Sequence, residues 1–163
     1  MENLRLNHAK GWSTHNTMLI KAVLASEGPV LELGGGMFST PLLHWMCKSL
    51  DRQLVTCEND EEFFYLVVKN FQSRQHITRL IKDWDTELDL KRHWGVVFVD
   101  HHPNGRRYYD AIRFKDTADY IVMHDTDPEG QRQHMRYDFM KVWPNFKYIY
   151  HWKACRPWSS VIP

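Results

Sequence analysis

Val30-Leu31-Glu32-Leu33-Gly34-Gly35-Gly36-Met37-Phe38-Ser39-Thr40 is an aliphatic run that meets three consecutive glycines and then a Ser-Thr pair in front of Pro41. A short apolar run bounded by glycine reads as a strand buried on both faces. Thr40 is a helix-capping residue and Pro41 suits the first helical position, so the glycines form a strand-to-helix turn. Glycine lets backbone come close to a ligand, and in open α/β sheets ligands lie beyond the carboxyl ends of the strands. The loop is therefore a candidate site for a nucleotide-like cofactor, with Gly34, Gly35, Gly36, Ser39 and Thr40 as its contacts.

The same alternation continues outward. Pro29–Leu33, Gln53–Cys57, Ile77–Ile81, Val96–Val99 and Tyr120–Met123 are runs of aliphatic and β-branched residues of strand length. Between them lie segments of helical period. One follows Thr40-Pro41, with Leu42, Leu43, Trp45, Met46 and Leu50 on its apolar face; another spans Glu61–Phe71. Further helices are expected over Leu88–His93, Arg107–Phe114 and Gln131–Val142. Lys147–Trp152 and Trp158–Ile162 read as two strands joined through Arg156-Pro157, an antiparallel hairpin closing the sheet. The expected fold is α/β: a doubly wound, mostly parallel seven-stranded sheet with helices on both faces. Residues 1–163 form one domain without repeat or linker, in which 1–27 supply an N-terminal helix and flap carrying Met18, Leu19, Ala22 and Val23.

The chain has 163 residues, 43% hydrophobic and 25% charged, enough for one sizeable core. Its 21 Lys+Arg against 20 Asp+Glu leave a formal charge of +1, which argues against duplex nucleic acid or an anionic membrane as partner. No stretch approaches the ~18 apolar residues of a membrane span. Met1-Glu2-Asn3-Leu4-Arg5 lacks the pattern of a secretory signal, so a cytoplasmic location is expected. Cys47, Cys57 and Cys155 are odd in number and widely spaced; they read as reduced, packed thiols, without a disulfide framework or metal motif.

Charge separates two cofactor classes at the loop. A dinucleotide brings an anionic pyrophosphate, which Glu32 would repel; S-adenosylmethionine brings an ammonium and a sulfonium, which Glu32 would suit. Ser39 also stands where a dinucleotide loop wants its third glycine. Glu32-Leu33-Gly34-Gly35-Gly36 resembles the first motif of the class I S-adenosylmethionine-dependent methyltransferases, an acidic residue, any residue, Gly, any residue, Gly. The resemblance extends in order over residues 28–163. Glu58 ends the second strand 22 residues past Gly36, near the ~20-residue spacing at which a carboxylate reaches ribose hydroxyls, with Asn59 beside it. Lys82-Asp83-Trp84-Asp85 follows the third strand; the resemblance implies that Asp83 accepts from the adenine amino group and that Trp84 stacks on the base. It also makes Ser13, Thr14 and His15 candidates to touch the methionine end of the donor.

The fourth strand ends in Asp100-His101-His102-Pro103 and the fifth in His124-Asp125-Thr126-Asp127, so Asp100, His101, His102, His124, Asp125 and Asp127 are expected on one rim beside the donor. Asp100 is counted among the donor contacts as well. In one reading, similar to the catechol-type and macrocin-type O-methyltransferases, Asp100 and Asp125 hold magnesium, which activates an acceptor hydroxyl. The pattern departs from that family at Thr126, where asparagine is usual, and no lysine base follows Asp100-His101. In the other reading no metal is needed, and a histidine removes the acceptor proton: His101 first, with Asp100 second and His102 or His124 as further candidates. Methyl transfer from a sulfonium asks chiefly for alignment and proton removal.

The expectation is methyl transfer to oxygen or nitrogen of a small-molecule acceptor. Arg106, Arg107, Arg132 and Arg136 are candidates to line an anionic acceptor, and Trp143, Trp152 and Trp158 to fill the core or a homodimer contact. The alternative is a non-catalytic or regulatory S-adenosylmethionine-binding protein that needs a partner subunit. A nicotinamide-dependent oxidoreductase is disfavoured by Glu32 and Ser39, and nucleic-acid methylation by the absent Asn/Asp-Pro-Pro-aromatic signature at Asp100-His101-His102-Pro103.

Overall fold

A computed structural model describes residues 13–126, 143–153 and 158–162. Strand β1 (Val30–Leu33) is buried at every position, as a strand covered on both faces must be. It pairs in parallel with β2 (Leu54–Glu58) on one side and β4 (Trp94–Val99) on the other. β3 (His76–Leu80) lies outside β2, and β5 (Ala118–Met123) outside β4, both parallel. Five parallel strands thus run in the order β3-β2-β1-β4-β5. β7 (Trp158–Ile162) runs antiparallel along β5, with β6 (Tyr150–Lys153) antiparallel beyond it. Residues 154–157, between those two strands, lie outside the described residues, as do the helix expected over Gln131–Val142 and Cys155.

Successive side chains of a strand point to opposite faces, and β1 and β4 feed two cores accordingly. Leu31, Leu33, Val97 and Val99 join Trp84, Phe114 and Ile121 on one face. Val30, Val96 and Phe98 join α1 (Asn16–Leu24) and α2 (Ser39–Ser49) on the other. Helix α1 contributes Met18, Leu19, Ala22 and Val23, the apolar stripe read from sequence. The chain winds from β1 outward through β2 and β3, then returns to β4 beside β1. That reversal opens a crevice at the carboxyl ends of β1 and β4. Leu33 pairs with Val99, so Gly34 and Asp100 enter their loops side by side.

Two helices differ from the sequence reading. α3 spans only Glu61–Leu66, its first turn capped by the Asp60 carboxylate on the Phe63 N–H. At Val67 (φ −121°, ψ −65°) the backbone leaves the α conformation, and Val68–Phe71 form a 3₁₀ turn. The tighter turn packs Val68 directly onto the glycine loop, where a Cβ on Gly35 would meet its side chain at 2.3 Å. Leu88–His93 is not helical. The Asp89 carboxylate accepts from the N–H groups of Lys91 and Arg92, and its carbonyl from the Trp94 indole; this local turn competes with a helix. α4 (Arg107–Arg113) matches its expectation to within one residue. No helix among the described residues is long and apolar enough to cross a membrane. Cys47 and Cys57 are free and buried, and burial pushes their thiols up to about 11 and about 12.

Candidate methyl-donor and acceptor site

Gly34 sits at φ +88°, and a Cβ there would meet the backbone of His101 at 2.6 Å. Both the conformation and the close approach require glycine. The loop beyond it is held by two buried carboxylates from two strands. Glu58, 6% exposed, accepts from the Gly35 N–H through Oε2 at 2.9 Å and from the N–H groups of Asn59 and Asp60 through Oε1 at 2.7 Å each. Burial raises its pKa, against the pull of those three N–H groups.

Glu32 works from behind the loop. It is wholly buried, and its Oε2 accepts from Thr56 Oγ1 at 2.7 Å and Thr40 Oγ1 at 2.9 Å. Thr40 Oγ1 accepts in turn from the Gly36 N–H at 2.8 Å. Burial pushes the Glu32 carboxyl up to about 7. The sequence reading set Glu32 and Thr40 against the donor; instead both side chains are turned inward and brace the loop that would hold it.

Two cavities open in front of the glycines. One, of about 250 Å³, is lined by Gly36, Ser39, Asp100, His124 and Asp125, with His15 at its wall. The other, of about 470 Å³, runs along Gly35, Glu58, Asn59 and Asp60 to His102. Gly35, Phe63, Asp100 and His102 border both. Gly35, Gly36, Ser39, Glu58, Asn59 and Asp100 thus border these two cavities.

Asp83 and Trp84 are not brought to these cavities. The exposed Asp83 carboxylate accepts from the Asp85 N–H and Thr86 Oγ1, bonds that lower its pKa. The Trp84 ring is 4% exposed in the core. It packs against His101 with ring centres 4.3 Å apart and donates through Nε1 to the His102 carbonyl. A surface that is already covered in the core cannot stack on a base, which corrects the role expected of it.

The rim divides its histidines. His101, the first-choice base, has a fully buried side chain whose Nε2 donates to Asp110 Oδ2 at 2.8 Å. Burial lowers its pKa despite the Asp110 carboxylate. Turned into the core, it is not placed to take a proton from an acceptor, and that assignment is corrected. His102 is exposed at the mouth of both cavities.

His124 holds the position His101 was expected to hold. A carboxylate only accepts, so His124 Nδ1 donates to Asp100 Oδ1 at 3.2 Å, with Asp125 Oδ2 at 3.4 Å. Its Nε2 faces Thr14 Oγ1 at 3.1 Å. Burial opposes the charged ring, but Asp100 and Asp125 outweigh it and raise the pKa of His124. Burial likewise opposes ionisation of Asp100, yet the Arg107 guanidinium and His124 hold its carboxyl down at about 2.

Arg107 and Asp110 were not read as parts of this arrangement. Arg107, 3% exposed, places Nη1 at 2.8 Å from Asp100 and 3.1 Å from Asp125. Its other nitrogens donate to the backbone carbonyls of Asp100 and His101. The two carboxylates expected to hold magnesium share this guanidinium, a cation already seated between them, and the pair does not fit a magnesium site. Asp110 gathers His101, Arg106 and Arg113. The i, i+4 and i, i+3 spacings of Arg106-Asp110-Arg113 on one helix face were the available signal. Asp127, Arg132 and Arg136 lie outside the described residues, as do the side chains of Trp143, Trp152 and Trp158.

Solved structures share this architecture. A protein of Nostoc punctiforme, assigned provisionally as an O-methyltransferase, superposes with a TM-score of 0.63 over 96% of this chain at 13% identity. The chain spans 59% of that protein's length. The precorrin-6y C5,15-methyltransferase of Geobacter metallireducens gives 0.60 at 10% identity, covering 90% of this chain and 84% of its own. The N-terminal domain of EvdMO1, with SAH bound, gives 0.58 at 12% identity, covering 97% and 83%. No family model and no curated protein sequence matches the chain. The fold is the Rossmann-like fold of the S-adenosylmethionine-dependent methyltransferases.

Proposed function

We propose that the chain binds S-adenosylmethionine on its glycine loop and transfers the methyl group to oxygen or nitrogen of a small-molecule acceptor. One observation carries this reading: two cavities that share Gly35 and Asp100 join a built donor side, Gly35 and Gly36 with Glu58, to a built proton-accepting side, Asp100 with His124. Glu58 pins the loop through backbone N–H groups and borders the cavity that would take the adenosine. The sulfonium is an activated donor, so the protein has to align the acceptor and remove its proton. His124, whose Nδ1–H is held by Asp100 and Asp125, takes that proton at its other ring nitrogen, Nε2. Arg107 helps to keep the Asp100 carboxylate ionised without offering it a proton. In the transfer the acceptor's lone pair forms the new bond to the methyl carbon as the sulfonium–carbon bond breaks, leaving S-adenosylhomocysteine.

The dimensions of the site support a small acceptor. A cavity of about 250 Å³ and a formal charge of +1 favour a small, weakly charged molecule over a nucleic acid. The test is transfer of a labelled methyl group from S-adenosylmethionine into fractionated small metabolites and, in parallel, into RNA. Label in a small-molecule fraction supports the reading; label in RNA overturns the acceptor; label in neither, with the donor bound, favours a regulatory cofactor-binding protein.

A further inference from the structure

His15 is 2% exposed, and neither of its ring nitrogens has a hydrogen-bond partner among the described residues. A buried polar group left unpaired is costly, so an imidazole held this way calls for a partner. Its edge faces the His124 ring, 4.6 Å between centres, and both border the smaller cavity with Asp100. One ligand atom from each of His15, Asp100 and His124 lies within 4.8 Å of the others.

We infer that His15, His124 and Asp100 form a binding site for a divalent transition-metal ion. Two imidazoles and one carboxylate are the donors of zinc, iron, cobalt and similar ions; magnesium prefers oxygen throughout. The separation of 3.2 Å between His124 Nδ1 and Asp100 Oδ1 is that of two neighbouring ligands on one ion, with bonds of about 2.1 Å meeting at about 100°. Two ligands of a tetrahedral ion with such bonds stand about 3.4 Å apart, so closing the site asks His15 to move by up to about 1.4 Å. An outer contact is already in place. On ligation through Nδ1 that nitrogen gives up its proton, and Nε2–H then donates to Thr14 Oγ1, which it faces at 3.1 Å. The inference rests on these residues alone and stands whether or not the methyl-donor reading does. Loaded, the cluster presents a Lewis acid where the empty cluster presents a base.

The test is titration of chelator-treated full-length protein with Co²⁺, followed by its visible ligand-field absorption and by calorimetry with Zn²⁺ and Mg²⁺. The expected result is one equivalent of Co²⁺ with a visible band, displaced by Zn²⁺ and not by millimolar Mg²⁺. His15→Ala should weaken binding about 10–100-fold in a protein that circular dichroism shows to be folded; His15→Asn serves if the alanine variant is not. Absence of stoichiometric binding to folded wild-type protein overturns the site. Binding unchanged in the His15 variants, or equal binding of Mg²⁺, overturns it as well.

Discussion

The backbone N–H of Gly35 donates to Oε2 of Glu58 at 2.9 Å, so the residue that ends β2 fixes the loop that follows β1. Glu58→Gln would turn one acceptor oxygen into a donor that faces backbone N–H groups. A stability loss of about 1–3 kcal/mol is expected, measured by urea unfolding; an unchanged midpoint would show that the loop holds itself.

Gly34 is the loop position least able to accept a side chain. Gly34→Ala places a Cβ 2.6 Å from the His101 backbone at φ +88°, and destabilisation of about 2 kcal/mol or more is expected. Gly36→Ala meets only the end of the Ser39 side chain at its closest contact and should be milder in the same urea experiment.

Glu32 makes stability depend on pH in a direction unusual for a carboxylate. Its folded-state pKa of about 7 lies above the ordinary 4.5, so the folded protein holds a proton that the unfolded chain has lost between those values. Stability from this group is full below pH 4.5, declines as pH rises to about 7 and is flat beyond; the drop is about 3 kcal/mol. Glu32→Gln, which can still accept from Thr40 and Thr56, should flatten that decline in denaturation curves taken from pH 5 to 8.

Asp110 is the partner of three groups, His101, Arg106 and Arg113. Asp110→Ala leaves them uncompensated beneath the rim and should cost about 3 kcal/mol. Thermal unfolding against wild type checks this, and a variant of unchanged stability would remove the physical basis for placing His101 in the core network.

His124→Gln should reduce methyl transfer by about 10²–10⁴-fold while donor affinity stays within a few-fold. In chelator-treated wild-type protein the base must be neutral, and its pKa is raised above 6.5. The rate therefore rises with pH through a midpoint above that value. A pH-independent rate would exclude His124 as the base.

Strands with both faces covered are mostly apolar, and for that reason β1, β2 and β4, buried throughout, and the buried half of β5 were legible. The loop was legible because three glycines at a strand end have few other uses, and Glu58 because strand and loop lengths set its spacing. The histidines were not. His101 and His102 are neighbours on one loop, and only Asp110 on α4 decides that the first turns inward. His15 and Thr14 meet His124 across the fold, Thr14 from 110 residues away, a distance no local pattern carries. Trp84 after β3 reads equally as a cover for a base or a core residue; the His102 carbonyl that receives its indole N–H settles the matter.

The central claim is that the loop of Gly34–Gly36, pinned by Glu58, holds S-adenosylmethionine. Calorimetric titration of the folded protein with the donor and with S-adenosylhomocysteine tests it most directly. One-to-one binding of both, weakened about 10-fold or more by Glu58→Ala in a folded variant, is the predicted result. Binding of neither ligand by folded wild-type protein would contradict it.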